Sequence, residues 1–217
     1  MGAAERDYRL RRQDGSSVSV DISLAPIRRS GEPCVIAVIR DITARRELEE
    51  RLRHEALHDP LTGLANRTLF LDRFTQAMLQ ARRERRQVAL VMLDLDHFKE
   101  VNDTYGHNAG DRVLRRVAHA LGDGLRATDT VARIGGDEFA WLLPGVSGRQ
   151  AAMLMMAKLL QAVPGRVAVA RHSVGVSVSA GLSLFPDDGG DIDTLMRVAD
   201  VHLYAAKRRM PAVQYRE

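Results

Sequence analysis

Two pairs of acidic residues, far apart in the chain, are placed where they could do chemistry together. Asp94 and Asp96 flank Leu95 at the end of an apolar run, and Asp137 and Glu138 follow two glycines in Arg133-Ile134-Gly135-Gly136-Asp137-Glu138-Phe139. Strand-like residues flank Gly135 and Gly136, so the pair reads as a two-residue hairpin turn, where positive φ is least costly for glycine. Side chains alternate along a strand. That would send Asp137 and Glu138 to opposite faces, so that only one of them could easily share a metal with a carboxylate elsewhere. A carboxylate at the end of a buried strand is costly unless something pairs with it or binds it. Hard oxygen ligands suit magnesium, which takes one or two carboxylates and leaves the rest of its shell to phosphates and water. An isolated GGDE is more often a surface hairpin with solvated acids, so the rest of the chain must decide.

Those acids need elements to hold them. Val88 to Leu93 is an almost unbroken apolar run, the mark of a central strand buried on both faces, and it delivers Asp94. Ahead of it the periodicity predicts a helix from Thr68 to Arg86, with Leu69, Phe70, Phe74, Ala77, Met78 and Ala81 on its apolar side. Beyond it, Gly110-Asp111 opens a helix carrying Val113, Leu114, Val117, Ala118 and Leu121, which Arg126 to Asp129 closes. Ser147 to Val163 reads as a further helix, Val174 to Leu184 as the last central strand, and Asp191 to Arg209 as a final helix with Lys207 near its end. The order helix-β-helix-β-β-helix-β-helix predicts an α/β sandwich, a central mixed sheet flanked by helices. Lys99 lies about a turn beyond the first acids, where it could meet a phosphate. Asn102 and Asp111 carry hydrogen-bonding groups of the types a guanine edge needs.

Ahead of this core, Arg6 to Asp41 reads as three strands. Val18, Val20, Ile22 and Leu24 alternate with Ser17, Ser19, Asp21 and Ser23, and Asp14-Gly15 and Ser30-Gly31 sit at the hairpin turns. Such a small antiparallel sheet has nothing of its own to cover its apolar face and needs a partner. Thr43 to Leu57 follows as a helix capped by Thr43, with Leu48, Leu52 and Ala56 in a narrow apolar stripe. A short coiled coil and an amphipathic linker lying on the next domain fit that stripe equally.

Composition narrows the class. With 217 residues and 45% hydrophobic content, the chain can bury a core as one large domain or two small ones. A net charge of +4 suits an anionic ligand and is far from a DNA-binding tail. The single cysteine, Cys34, excludes an internal disulfide and fits a reducing compartment. No apolar run reaches the length of about 18 residues that a membrane helix needs, and no charged-then-apolar leader opens the chain. A cytoplasmic chain without a membrane segment is expected.

The segments HDPLTGLANR, DLDHFKEVNDTYGHNAGD, RIGGDEFA and ADVHLYAAK occur in this order, and together they resemble GGDEF-type diguanylate cyclases. The resemblance runs from His58 to Arg209 and assigns residues 58–217 to such a domain. Residues 43–57 are then a linker helix. Residues 1–42, closing on Ile39-Arg40-Asp41-Ile42-Thr43, resemble the C-terminal part of a PAS sensor domain, roughly a third of one. The resemblance implies a palm-like nucleotidyl cyclase fold that condenses two GTP into cyclic di-GMP as a homodimer with Mg²⁺, or Mn²⁺ in its place. It implies that Asp94, the carbonyl of Leu95 and Asp137 hold the metal, and that Asp137 and Glu138 serve the chemistry. It places Asn102 and Asp111 at the guanine, Lys99 and Lys207 at the phosphates, Phe98 in the segment around them, and Gly135 and Gly136 close to the triphosphate. Arg126 and Asp129 match an RxxD site that binds the product and inhibits.

Three positions depart from the family pattern. Pro211 stands where a phosphate-contacting arginine is usual, leaving Arg208 or Arg209 to substitute. His202 replaces a small residue in the last helix. Ala157 and Lys158 lie where a further arginine often completes the inhibitory site. A non-catalytic receptor for GTP or cyclic di-GMP is the competing reading, opposed by the intact Asp94, Asp137 and Glu138.

Overall fold

The structure, a computed structural model, describes residues 7–169 and 171–208. It divides into two units, Met1–Ala56 and Leu57–Glu217.

Alternating apolar and small polar residues give the first unit its three strands, β1 (Asp7–Arg11), β2 (Ser17–Arg29) and β3 (Glu32–Asp41), paired antiparallel in that order. Val18 and Val20 are buried, whereas Leu24, Val35, Val38 and Ile39 are exposed, so much of the sheet's apolar surface is uncovered as its size predicts. Helix α1 (Thr43–Leu57) follows. The expected cap works in a different way: Asp41 Oδ1 accepts from the Thr43 N–H at 2.9 Å, and the Thr43 hydroxyl accepts from the Ser19 N–H at 3.1 Å. The start of α1 is thereby tied to the middle of the sheet.

The second unit opens with α2 (Arg67–Glu84), whose first turn is capped by the Asn66 side chain accepting from the Leu69 N–H at 3.1 Å. It continues with β4 (Gln87–Leu95), α3 (Phe98–Tyr105), α4 (His107–Gly122), β5 (Thr130–Gly135) and β6 (Glu138–Val146). The remaining elements are α5 (Arg149–Ala162), β7 (Arg166–Val169), β8 (His172–Gly175), β9 (Val178–Phe185) and α6 (Ile192–Lys207). Four strands form the central sheet in the order β5-β6-β4-β9. Ala89, Val91, Leu93 and Leu95 of β4 pack toward α4 and α5, while Val88, Leu90 and Met92 pack toward α2 and α6. The unbroken apolar run is thus a strand with helices on both faces.

The sheet is antiparallel at every pairing of its strands, where a mixed sheet was expected. The crossover through α3 and α4 does leave β5 running in the direction of β4, but β6 inserts between them and pairs with both. Among the described residues the isolated parallel pairing is the bridge between Ala65 and Ala132. The run from Val174 to Leu184 is also two strands rather than one. Val174 belongs to β8, which pairs with β7 in a separate hairpin, and the central strand begins at Val178. Among the described residues no helix is long and apolar enough to cross a membrane.

Candidate active site

The end of β4 is where the functional side chains gather. Asp94 is opposite Glu138 of β6 on one side and Ser179 of β9 on the other. Directly opposed residues of antiparallel strands share a face, and for Asp94 and Glu138 it is the face covered by α6, since each continues the alternation of Leu90 and Met92 or Ala140 and Leu142. Helix α6 answers with Lys207, whose Nζ stands 2.7 Å from Asp94 Oδ1.

The hairpin turn sits one residue later than expected. Gly135 ends β5, and Gly136 (φ 53°) and Asp137 form the turn. Asp137 is therefore off the strand, so alternation does not separate it from Glu138. Its carbonyl accepts from the Leu95 N–H at 3.3 Å, which fastens the turn against the end of β4. Both acids of the hairpin then act on Asp94's surroundings. Burial pushes the Asp94 carboxyl above its ordinary range, with the Asp137 and Asp96 charges adding to it against the pull of Lys207. Burial likewise raises Glu138, helped by Asp94, Asp137 and Asp200 and again opposed by Lys207. Several carboxylates thus crowd around one ammonium group, an arrangement that favours added positive charge.

Asp96 turns to a structural task. Its Oδ1 accepts from the Ser179 hydroxyl at 2.6 Å and its N–H bonds the Ser177 carbonyl at 3.0 Å, tying the exit of β4 to β9. The chain then enters α3 through His97, held at φ 57° with its Nδ1 2.8 Å from Glu100. Phe98 and Lys99 form the first turn of α3, Phe98 half-buried and Lys99 exposed. Asn102, on the last turn, leans on α4 so closely that a side chain on Gly110 would collide with it and with Phe98. The Asn102 Oδ1 is buried without a hydrogen-bond partner, and Asp111 follows Gly110 directly, with Arg115 3.9 Å away. A buried, unanswered amide beside a carboxylate is what a base edge bearing N–H groups would satisfy.

Arg126 and Asp129 form a closed turn. Asp129 Oδ2 accepts from the Arg126 N–H at 3.2 Å, and the Asp129 N–H bonds the Arg126 carbonyl at 3.0 Å. Asp129 is buried, which raises its pKa against the hydrogen bond and charge of Arg126. Arg126 lines a cleft of about 630 Å³ along α2, together with Arg73, Gln80, Arg86 and Thr128. None of the clustered carboxylates lines it, so the two places are separate.

Three residues were missed by sequence reasoning. Asp200 lies two turns before Lys207 on α6, a seven-residue spacing that signals a shared face. Arg133 directs its Nε and Nη2 to the Gly136 carbonyl at 2.9 and 2.7 Å, and its Nη1 to both Asp59 oxygens at 3.1 Å. Asp59 is fixed in turn by the Thr62 N–H and hydroxyl three residues on, at 2.8 and 2.6 Å, a capping-type contact that the order Asp-Pro-Leu-Thr could have suggested. Burial alone would raise the Asp59 carboxyl, but Thr62 and Arg133 outweigh it and hold the group below its ordinary range. His202, one of the departures, has a local role: its Nδ1 bonds the Leu182 carbonyl at 2.6 Å, joining α6 to the edge strand. Arg209 and Pro211 lie outside the described residues.

The family described as diguanylate cyclase, GGDEF domain, matches residues 56–212. The bifunctional diguanylate cyclase/cyclic di-GMP phosphodiesterase MucR of Pseudomonas aeruginosa is 39% identical over 191 residues, covering 88% of this chain and 27% of that protein. The chain spans about a quarter or less of the length of the first curated relatives it matches. Among solved structures, a sensory box/GGDEF family protein of Caulobacter crescentus has a TM-score of 0.68 at 36% identity, covering 71% of this chain and 99% of that one. The coiled coil and GGDEF domain of DgcB from the same species, solved in complex with c-di-GMP, has a TM-score of 0.70 at 32% identity, covering 77% and 88%.

Proposed function

The chain belongs to the family of diguanylate cyclase GGDEF domains, and from that premise we propose that it condenses two GTP into cyclic di-GMP and releases two pyrophosphates. The observation that carries this reading is the gathering of Asp94, Asp137 and Glu138 around one lysine at the end of β4. Asp94, Asp137 and the Leu95 carbonyl would hold Mg²⁺, or Mn²⁺. The donor set fits, being hard oxygens in a cluster short of positive charge. Such an ion takes one or two carboxylates and completes its shell with phosphate and water. When bound, the ion supplies neutralisation of the triphosphate and of the departing pyrophosphate.

The chain's own residues do the rest. Asn102 and Asp111 hold the guanine, and Gly135 and Gly136 let the main chain approach the phosphates without a side chain between. Lys99 brings positive charge from the start of α3, with Phe98 beside it. Lys207 exchanges its contact with Asp94 for the phosphates, so the pair is a resting arrangement. Glu138, raised by burial and its acidic neighbours, is better matched than an ordinary carboxylate to accept the proton of the attacking 3′-hydroxyl. Each domain holds one GTP, so the reaction needs two copies facing each other, brought together through α1. The first unit is the end of a PAS-like sensor, the enzyme works in the cytoplasm, and Arg126 with Asp129 binds product to inhibit.

The test is purified protein, GTP and Mg²⁺, with cyclic di-GMP followed by chromatography. Asp137→Ala should lower the rate by more than about a hundredfold, each ~1.4 kcal/mol of lost transition-state stabilisation being tenfold. Unchanged turnover would refute the role of Asp137, and GTP binding without product would favour the receptor reading. Wild-type progress curves should reach a plateau as product accumulates, and Arg126→Ala should lift it. An identical plateau would remove the inhibitory role.

A further inference from the structure

We propose that Arg133 is a positioning residue for this reaction, and that through Asp59 it makes the place of Asp137 depend on the loop following α1. The inference rests on the cyclase reading. Arg133 reaches in two directions at once. On one side Nε and Nη2 converge on the Gly136 carbonyl, the residue before Asp137, and on the other Nη1 meets both oxygens of Asp59. The turn is held from its other end by the Leu95 N–H on the Asp137 carbonyl. Asp137 therefore stands between two anchors, one at β4 and one at Asp59.

Asp59 is itself a fixed point of the loop. Thr62 holds its carboxylate, its N–H bonds the Leu64 carbonyl at 2.8 Å, and its carbonyl accepts from the Gly63 N–H at 2.8 Å. The loop starts where α1 stops, with the Leu57 carbonyl accepting from the Asn66 N–H at 2.9 Å, and it joins β5 through the Arg133 N–H on the Ala65 carbonyl at 3.0 Å. The Arg133 and Asp59 side chains are only 15% and 17% exposed, so water competes little for the contact. A shift of this loop reaches the Gly136–Asp137 turn through the guanidinium plane. All three guanidinium nitrogens have partners within the protein, which assigns Arg133 to holding the turn and leaves substrate to its neighbours. Lysine keeps the charge but lacks the planar fork that spans both partners.

The experiment compares full-length wild type, Arg133→Lys, Arg133→Ala and Asp59→Asn. In cyclic di-GMP synthesis the two Arg133 variants should lose kcat by about 10- to 100-fold, the scale of a misplaced reacting group, with KM for GTP within about twofold. Asp59→Asn should fall between them and wild type, because the Gly136 contact survives. Amide hydrogen exchange without nucleotide supplies a readout independent of turnover: exchange should rise over residues 134–138 in Arg133→Lys and Asp59→Asn, while the α4 core over residues 113–121 stays protected. Should Arg133→Ala fail to fold, Arg133→Lys and Asp59→Asn decide. Full kcat in Arg133→Lys, a change confined to KM, or exchange rising evenly over the domain overturns the inference. Wild type without product, but with the exchange difference confined to the turn, overturns the cyclase reading and leaves the mechanical link standing.

Discussion

Asp94 sits where its charge weakens the fold. It is buried, the Asp137 and Asp96 charges act on it, and the Lys207 ammonium does not offset this, so its carboxyl is raised above its ordinary range. A folded-state pKa above the unfolded one means that folding favours the protonated form. The stabilisation is complete below the unfolded value and is lost as pH rises through the folded one. Asn at this position cannot ionise. Asp94→Asn should therefore have a higher Tm than wild type at pH 7.5 without divalent cations, the gap closing as the pH falls toward 3.8, while product formation drops by about a hundredfold or more. Thermal melts across this pH range check it, and a lower Tm for the variant at pH 7.5 would refute it. At this scale the sequence was readable where an acid ended a patterned run, as Asp94 does. Arg133 was not, because its partner Asp59 lies in a distant loop and only the folded chain brings the two within reach.

The elements were readable by their periodicity, since β4 and α4 bury the residues that their pattern singles out, and α2 buries Phe70, Phe74, Met78 and Ala81 while Leu69 and Ala77 are half-buried. Pairings were harder to read. The Gly135-Gly136 dipeptide suits a turn at either register, and the bonds from Arg133 and Leu95 hold Gly136 and Asp137 in the turn. The break between β8 and β9 falls inside an apolar stretch with no proline to mark it. Helix α6 depends on one contact in particular. A Cβ on Gly181 of β9 would collide with the Ala199 carbonyl and the Leu203 nitrogen, both backbone atoms that cannot turn aside. Gly181→Ala must push α6 off the sheet, carrying Lys207 away from Asp94. We expect a destabilisation of about 3 kcal/mol, or roughly 6–12 °C in Tm, with synthesis falling more than the loss of folded protein explains. Calorimetry beside the activity assay tests this, and a wild-type Tm would show that the helix has room to spare.

For the whole molecule, the decisive quantity is the number of copies at work. On the proposed reading each domain holds one GTP, and a two-GTP condensation needs a second domain to present the other nucleotide. Specific activity should then rise with protein concentration in dilute solution and level off once dimers prevail, unlike the flat line of an enzyme complete in one chain. Leu48 and Leu52 of α1 are more than half exposed, four residues apart on one stripe, and on the proposed dimeric reading that stripe serves as a coiled-coil seam. Leu48→Lys with Leu52→Lys should move the rise to higher concentration and leave the Tm of the cyclase domain unchanged, because neither side chain belongs to its core. The alternative, a linker lying on the next domain, predicts the opposite: a lowered Tm with the same concentration dependence. Light scattering beside the dilution series separates the two. A monomer whose specific activity stays constant across the series would overturn the requirement for two copies.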